Sequence, residues 1–145
     1  MKTKKEPFGY LTAMASRVMV RSLTLSLKPY DLTPEQWTVL KRLAEEDDIT
    51  QKELALRSDK DQPTITRILD ILERKQFISR KPNGEDRRSY RILITGKGRE
   101  HQELVRPLVE EQFESKLLNR IPPEHLEIFK SVLFQMIDNL ENTPD

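Results

Sequence analysis

The stretch that decides the fold of this protein is residues 61–94, DQPTITRILDILERKQFISRKPNGEDRRSYRILI. Asp61 is placed to cap a helix, and Pro63 is tolerated in the first turn of that helix. Apolar residues then recur at the i, i+3, i+4, i+7 spacing of an amphipathic helix: Ile65, Ile68, Leu69 and Leu72. We therefore predict a helix from Asp61 to Lys75 with one buried face.

The pattern after this helix changes to that of β-strands. Residues 77–81 and 89–94 are rich in β-branched and aromatic side chains, and Pro82-Asn83-Gly84 marks a turn between them. These signals predict a β-hairpin whose charged tip spans residues 82–88.

Two helix starts precede the stretch. Thr33 with Gln36 three residues later forms one predicted capping box, and Thr50 with Glu53 forms a second, with Ile49 as a very short strand. Short helices followed by a hairpin are typical of a winged helix-turn-helix, which we place over residues 32–97.

The segments outside this module read as further helices, over residues 8–28, 95–119 and 123–141, and Pro107 is expected to kink the second. Their apolar residues extend over more than one face, which a small winged module cannot cover alone. The sequence thus predicts a mainly α fold with a small β-hairpin wing (α+β), one domain over 1–145. Residues 8–29 and 98–141 are expected to form the dimerisation region of a homodimer.

Composition limits the function classes. The chain has 145 residues and no cysteine, which excludes disulfides, thiolate metal sites and thiol redox sensing. No apolar run reaches the length of a membrane helix, and the basic N-terminus lacks an apolar signal core, so we expect a cytoplasmic protein without membrane contact.

Charge is unevenly distributed along a chain of net charge +1. Residues 50–99 carry 13 Lys and Arg against 7 Asp and Glu, whereas residues 100–145 carry 4 against 10. A local basic patch on a near-neutral chain is typical of a surface that binds a polyanion, although a solvated surface has the same composition.

The polar face of the predicted second helix has residue types suited to DNA. Its first turns present Gln62, Pro63, Thr64, Thr66 and Arg67. Glutamine can read adenine, arginine can bind guanine or a phosphate, and threonine can bond either. The alternative is a polar face that binds no partner. Because the helix leads directly into a basic hairpin, we favour the hypothesis that its polar face reads double-stranded DNA.

The hairpin tip carries Asp86, Arg87 and Arg88. A carboxylate paired with one guanidinium can hold the tip in shape, while the other guanidinium enters a minor groove. Surface ion pairs in a solvated turn are the alternative.

These residues resemble the multiple antibiotic resistance regulator (MarR) family. The matching segments are LTPEQW (32–37), QKELA (51–55), TITRIL (64–69), DRR (86–88) and ITGKGR (94–99). The resemblance implies a triangular homodimer on a pseudo-palindromic site, with Asp86 bracing the wing, Arg88 in the minor groove, and release by a small, often aromatic, molecule. Asp31 and Gln76 stand where the family usually has glycine, and Gln76 is expected to need a left-handed backbone.

A small-molecule effector pocket is the least constrained prediction. Tyr10, Met14, Tyr30 and Trp37 could line an aromatic pocket near the first helix, and core packing explains them equally well. No cofactor or metal site is expected.

Other classes of protein fit less well. The two histidines, His101 and His125, fall on separate predicted helices, and no phosphate loop or nucleophile motif is present, so we expect no enzyme. A winged helix that binds only protein, and a nonspecific architectural DNA binder, are the remaining alternatives; we favour a sequence-specific transcriptional regulator.

Overall fold

The computed structural model of the protein describes residues 5–142, apart from the side chain of Arg87. The helices are α1 (Phe8–Leu27), α2 (Pro34–Glu45), α3 (Gln51–Arg57), α4 (Gln62–Arg74), α5 (Gly96–Pro107), α6 (Glu114–Leu117) and α7 (Pro123–Glu141). The strands are β1 (Ile49–Thr50), β2 (Ile78–Asn83) and β3 (Asp86–Ile94). This order confirms the predicted mainly α fold with a small β-hairpin wing.

Side-chain caps start the helices where the sequence predicts them. The Thr33 hydroxyl accepts the Gln36 amide at 3.2 Å, and the Gln36 side chain accepts the Thr33 amide in return, so the predicted capping box is confirmed. Thr50, Asp61 and Thr95 cap α3, α4 and α5 through single bonds of the same type. The capping box predicted at Thr50 and Glu53 was therefore only half correct, because among the described contacts the Glu53 side chain does not accept the Thr50 amide. These caps fix where each helix begins and hence which residues occupy its first turn.

The three strands form one antiparallel sheet in the order β1-β3-β2. The hairpin is tighter than predicted, because β2 and β3 pair as far as Asn83 and Asp86. The expected loop over residues 82–88 was therefore wrong, and Asp86, Arg87 and Arg88 lie in β3. The turn signal at Pro-Asn-Gly was correct, but it does not show how far pairing continues on either side.

One hydrophobic core lies between the helices and the sheet. In the described range, its buried apolar residues all fall between Leu27 and Val105, and α4 supplies four of them on its predicted face: Ile65, Ile68, Leu69 and Leu72. Burial of these four against α2, α3 and the sheet leaves the opposite face of α4 free to meet a ligand.

The ends of two segments adopt left-handed backbone conformations. Asp31 has φ 54° and Gln76 has φ 64°, so the prediction that Gln76 needs this geometry is confirmed. The Phe77 amide then donates to the Leu72 carbonyl, which ends α4 and starts the wing.

The long C-terminal helical region changes its hydrogen bonding at Pro107. α5 ends at this residue, and Leu108–Phe113 is π-helical before α6 begins. Proline lacks the amide that would continue the α pattern, which accounts for an irregularity at this point.

The outer helices leave large apolar side chains exposed. On α7 these are Ile128, Phe129, Val132, Phe134, Ile137 and Leu140, and on α1 they include Phe8, Tyr10, Val18 and Leu25. No helix within residues 5–142 combines the length and apolar character required to cross a bilayer.

Candidate nucleic-acid interface

A polar groove of about 760 Å³ runs between α4 and the wing. The residues that line it are Gln51, Lys52, Gln62, Thr66, Asp70, Glu73, Arg80, Arg88, Ser89 and Tyr90. The groove thus brings together side chains of α3, α4 and both strands of the hairpin. Gln62, Thr66 and Arg88 are the sequence-predicted site residues that meet in it.

The first turn of α4 presents the residues that we expected to read DNA. Gln62, Pro63 and Thr66 are exposed, whereas Thr64 is half-buried. The Thr64 amide donates to the Asp61 carboxylate at 2.8 Å. The Thr64 side chain and this backbone bond hold the pKa of Asp61 below its ordinary value, and the cap keeps the start of α4 in place.

Gln51 is a site residue that the sequence analysis did not single out. Its side-chain amide donates to the Thr66 hydroxyl at 2.8 Å and to the Gln62 carbonyl oxygen at 3.3 Å. The Thr66 hydroxyl in turn donates to the Gln62 backbone carbonyl. Gln51 thus orients two candidate base-reading side chains from the neighbouring helix, which only the packing of α3 on α4 reveals.

Arg67 is exposed but has a partner within the chain. Its guanidinium lies 3.0 Å from the carboxylate of Glu35 on α2, and both side chains are about half exposed. An exposed pair of this kind contributes little to stability, so Arg67 can exchange Glu35 for a DNA group at small cost.

The carboxylate of Asp86 braces the wing by accepting the backbone amide of Arg88 at 2.9 Å. The pairing of Asp86 with a guanidinium stays a prediction. Asn83 also donates to the Ser89 hydroxyl at 2.9 Å across the hairpin. The side chain of Arg87 lies outside the described residues.

The positive charge of Arg88 is not paired with any described residue. Its guanidinium has no hydrogen-bond or ion-pair partner among the described residues, and it lines the groove together with the exposed Lys52. Bracing by Asp86 uses only the Arg88 backbone, so the cation itself remains available for a phosphate or a minor groove.

The acidic residues after α2 anchor the base of the wing. Asp48 accepts a bond from Arg91 at 2.8 Å and one from Lys81 at 3.3 Å, and Asp47 accepts the Ile94 amide. The bond from Arg91 holds the pKa of Asp48 below its ordinary value, and the same contact raises the pKa of Arg91. The partners are 33 to 47 residues apart in sequence, which hides this network from pattern analysis.

The four residues proposed for an effector pocket lie in different surroundings. Trp37 is only 3% exposed within the core and Tyr30 packs half-buried against it, whereas Tyr10 is 52% exposed and Met14 is exposed on α1. A separate cavity of about 380 Å³ lies near the end of α1, between Leu25, Lys28 and Lys75.

His101 has a structural position at the start of the C-terminal region. Its ring stacks on Phe77 with centroids 4.6 Å apart, and Nε2 lies 2.7 Å from the Tyr30 carbonyl oxygen. Across the described residues, no group of His, Asp and Glu side chains is arranged to hold a metal ion.

Comparison with known proteins agrees with this geometry. Residues 32–90 match the family model described as the MarR family. This range covers the winged module from the cap of α2 to β3, including α4 and the hairpin.

Solved structures resemble nearly the whole chain. The structure of a MepR–DNA complex from S. aureus is 28% identical with a TM-score of 0.86, covering 93% of this chain and 99% of that one. A mutant MarR from E. coli complexed with operator DNA is 28% identical with a TM-score of 0.84, covering 90% and 93%. The transcriptional repressor CouR bound to a 23-mer DNA duplex is 26% identical with a TM-score of 0.85, covering 94% and 96%.

The winged fold, the groove and these matches define the class of the protein as a DNA-binding transcriptional regulator. Within that class, the chain is similar to the MarR family over its winged module.

Proposed function

We propose that this protein is a repressor that binds a pseudo-palindromic operator as a homodimer and is released by a small-molecule effector. In this proposal α4 enters the major groove of the DNA and the wing reaches the adjacent minor groove. Gln62, Pro63, Thr64, Thr66 and Arg67 belong to the major-groove surface. Asp86, Arg87 and Arg88 belong to the wing.

The observation that carries the proposal is the guanidinium of Arg88, which has no partner among the described residues and lies at the edge of a groove lined by Gln62 and Thr66. An α-helix fits the roughly 12 Å width of a DNA major groove, and its first turn can reach base edges. A planar, weakly hydrated guanidinium suits the negative potential of a minor groove. Two kinds of DNA contact are therefore available from one side of the molecule.

The homodimer is supported by the outer helices. Large apolar side chains on α1 and α7 lie exposed, and exposed apolar surface of this extent is typical of an interface. A two-fold dimer would present α4 twice, about 34 Å apart, which matches half-sites about 10 base pairs apart.

Repression and effector release rest on similarity and on the cavities. CouR is a transcriptional repressor, and this chain shares its fold at 26% identity. The cavity near Leu25 and Lys28 lies at the C-terminal end of α1. An effector bound there would lie at the edge of the proposed dimer interface and so could alter the spacing of the two α4 helices.

The decisive experiment is selection of genomic DNA fragments by the purified protein, followed by footprinting. A sequence-specific regulator will protect one defined palindrome with the predicted half-site spacing, and the neighbouring genes will identify what it controls. Protection without any sequence preference would instead establish a nonspecific architectural binder.

Salt dependence separates DNA binding from protein binding. Phosphate contacts release counterions, so the DNA affinity should fall linearly on a logarithmic salt scale. A winged helix that binds only protein would ignore duplex DNA even in dilute buffer, and that result would overturn the proposal.

Arg67 tests base reading within α4. The Arg67→Ala variant should lose affinity by about tenfold, since a guanidinium contact to a base is worth about 1–3 kcal/mol, and its preference should relax at one base pair of each half-site. The measurement is a binding profile across a randomised site library, with Glu35→Gln as the matched variant that frees Arg67 from its partner. An unchanged profile for Arg67→Ala would remove this residue from the site.

A further inference from the structure

Two carboxylates lie on the face of α4 that would meet DNA. Asp70 and Glu73 line the same groove as Gln62, Thr66 and Arg88, and both side chains are about half exposed. Carboxylates in this position repel phosphates, and they lose hydration without compensation when DNA covers the groove. A surface that binds a polyanion therefore requires some means of neutralising them.

Arg80 on β2 contacts both carboxylates. Its guanidinium lies 2.8 Å from Asp70 Oδ1 and 3.1 Å from Glu73 Oε1, and a third bond of 3.4 Å reaches the Thr66 carbonyl oxygen. The side chain is only 15% exposed, whereas those of its two partners are much more accessible. The flat, five-donor guanidinium is suited to binding several acceptors at once, which lysine cannot reproduce.

We propose that Arg80 is a positioning residue that masks the charges of Asp70 and Glu73 so that the groove between α4 and the wing can accept DNA. Arg80 holds the two carboxylates back toward β2 and supplies their counter-charge when the groove is dehydrated. This inference rests on the proposed DNA-binding function, and it assigns Arg80 no direct contact with bases or phosphates.

Two other roles for Arg80 give different results. A direct phosphate contact would make the loss on removing Arg80 independent of the carboxylates. A purely structural tether between wing and helix would make removal of the carboxylates as harmful as removal of Arg80. A double-mutant cycle separates the three roles.

The experiment compares four full-length proteins: wild type, Arg80→Met, Asp70→Asn/Glu73→Gln, and the triple variant. Methionine keeps the aliphatic stem of Arg80, and thermal unfolding checks that each protein is folded. Affinity for the selected operator duplex is measured at several salt concentrations.

If Arg80 masks the two carboxylates, its removal should cost more affinity in the wild-type background than in the background that lacks them. Arg80→Met should weaken binding about tenfold, since it leaves two unpaired carboxylates against DNA. Asp70→Asn/Glu73→Gln should bind about threefold more tightly than wild type, because two repelling charges are removed. In that background Arg80→Met should cost only about twofold, from the loss of one distant positive charge.

The cycle also shows which result overturns the proposal. Equal losses on removing Arg80 in both backgrounds, with a salt slope reduced by about two for the two protomers, would establish a phosphate contact instead. Weakened binding by Asp70→Asn/Glu73→Gln alone would establish a tether. Failure of the wild-type protein to bind any duplex would overturn the proposed function first, and the masking role with it. If Arg80→Met does not fold, Arg80→Lys takes its place in the cycle, with a smaller loss expected in the same direction.

Discussion

The winged module and the outer helices differ in how far their apolar side chains are buried within the chain. In the described range, the buried apolar residues lie between Leu27 and Val105, where the module packs around one core. In α7 no side chain is fully buried, and Phe129 and Leu140 are 55% and 87% exposed. The core therefore lies mainly in the module and is completed by Leu27 of α1 and Val105 of α5, whereas α7 needs a second surface to cover it.

The two regions also differ in whether their charged side chains pair between elements or within one helix. In the module, charged side chains are cross-linked between elements, as in Asp48 with Arg91 or Arg67 with Glu35. In α7 the described ion pair is a local one, between Glu127 and Lys130 one turn apart. Polar contacts between elements fix the geometry of a ligand-binding surface. An exposed apolar face is instead buried by packing against another apolar face.

The largest expected effect comes from breaking the apolar face of α7. Phe129→Glu/Ile137→Glu should abolish dimerisation and reduce operator binding by at least about a hundredfold, since each protomer alone holds one half-site. Sedimentation and operator titration measure the two effects. Ser131→Glu/Gln135→Glu adds the same charge on the opposite side of the helix and should remain dimeric. A dimer that survives the Phe129 and Ile137 changes would place the interface elsewhere.

The next effect concerns the junction of the two regions, where α5 leaves the wing. A Cβ added at Gly98 would lie 2.0 Å from the Phe77 backbone oxygen, so Gly98→Ala must displace the backbone. We expect a loss of about 3 kcal/mol in the free energy of unfolding, measured by urea denaturation. Gly96→Ala is the matched control, because nothing lies within 4 Å of its added Cβ. Equal stabilities of the two variants would contradict the close contact.

Removal of the positive charge of Arg88 from the wing should weaken DNA binding without affecting dimerisation. Arg88→Ala should weaken operator binding by about thirtyfold, equivalent to about 2 kcal/mol, because it removes the uncommitted guanidinium from each wing. The dimer should remain intact, since Arg88 lies in the module. Arg106→Ala, which removes an exposed charge from α5, is the control. An Arg88→Ala affinity within twofold of the wild-type value would remove this residue from the interface.

The smallest effect is a pH dependence at the base of the wing. The pKa of Asp48 is lower in the folded protein than in the unfolded chain, because Arg91 binds its ionised form. Its contribution to stability is therefore present at neutral pH and is lost as the pH falls through the folded-state pKa. Asp48→Asn should lower the melting temperature slightly at neutral pH and flatten its decline in acid. Because the pair is exposed, added salt should reduce the difference, and parallel pH profiles for both proteins would contradict this assignment.

Local signals predicted the module with few errors. The caps at Thr33, Asp61 and Thr95, the apolar face of α4, and the left-handed Gln76 depend on residues within a few positions of one another, and the structure contains all of them. The length of the hairpin was wrong because strand pairing depends on contacts across the sheet, not on the turn residues alone.

The site was predicted only in part. Gln62, Thr66 and Arg88 meet in the groove as expected, but Gln51 and Arg80, which orient or neutralise their neighbours, were missed. Both residues act on side chains of another element, 7 to 15 positions away, and no periodicity in the sequence marks such a pair.

The sequence by itself determined where the capped helices begin, which face of α4 is buried, and that the middle of the chain is basic, since these depend on spacing and composition. Only the tertiary structure decided which charges are free. Packing places Arg67 against Glu35 and Arg80 against Asp70 and Glu73, but leaves Arg88 without a partner among the described residues. A charge becomes available to a ligand only when folding brings no opposite charge within reach, and that is a property of distance in space rather than of order along the chain.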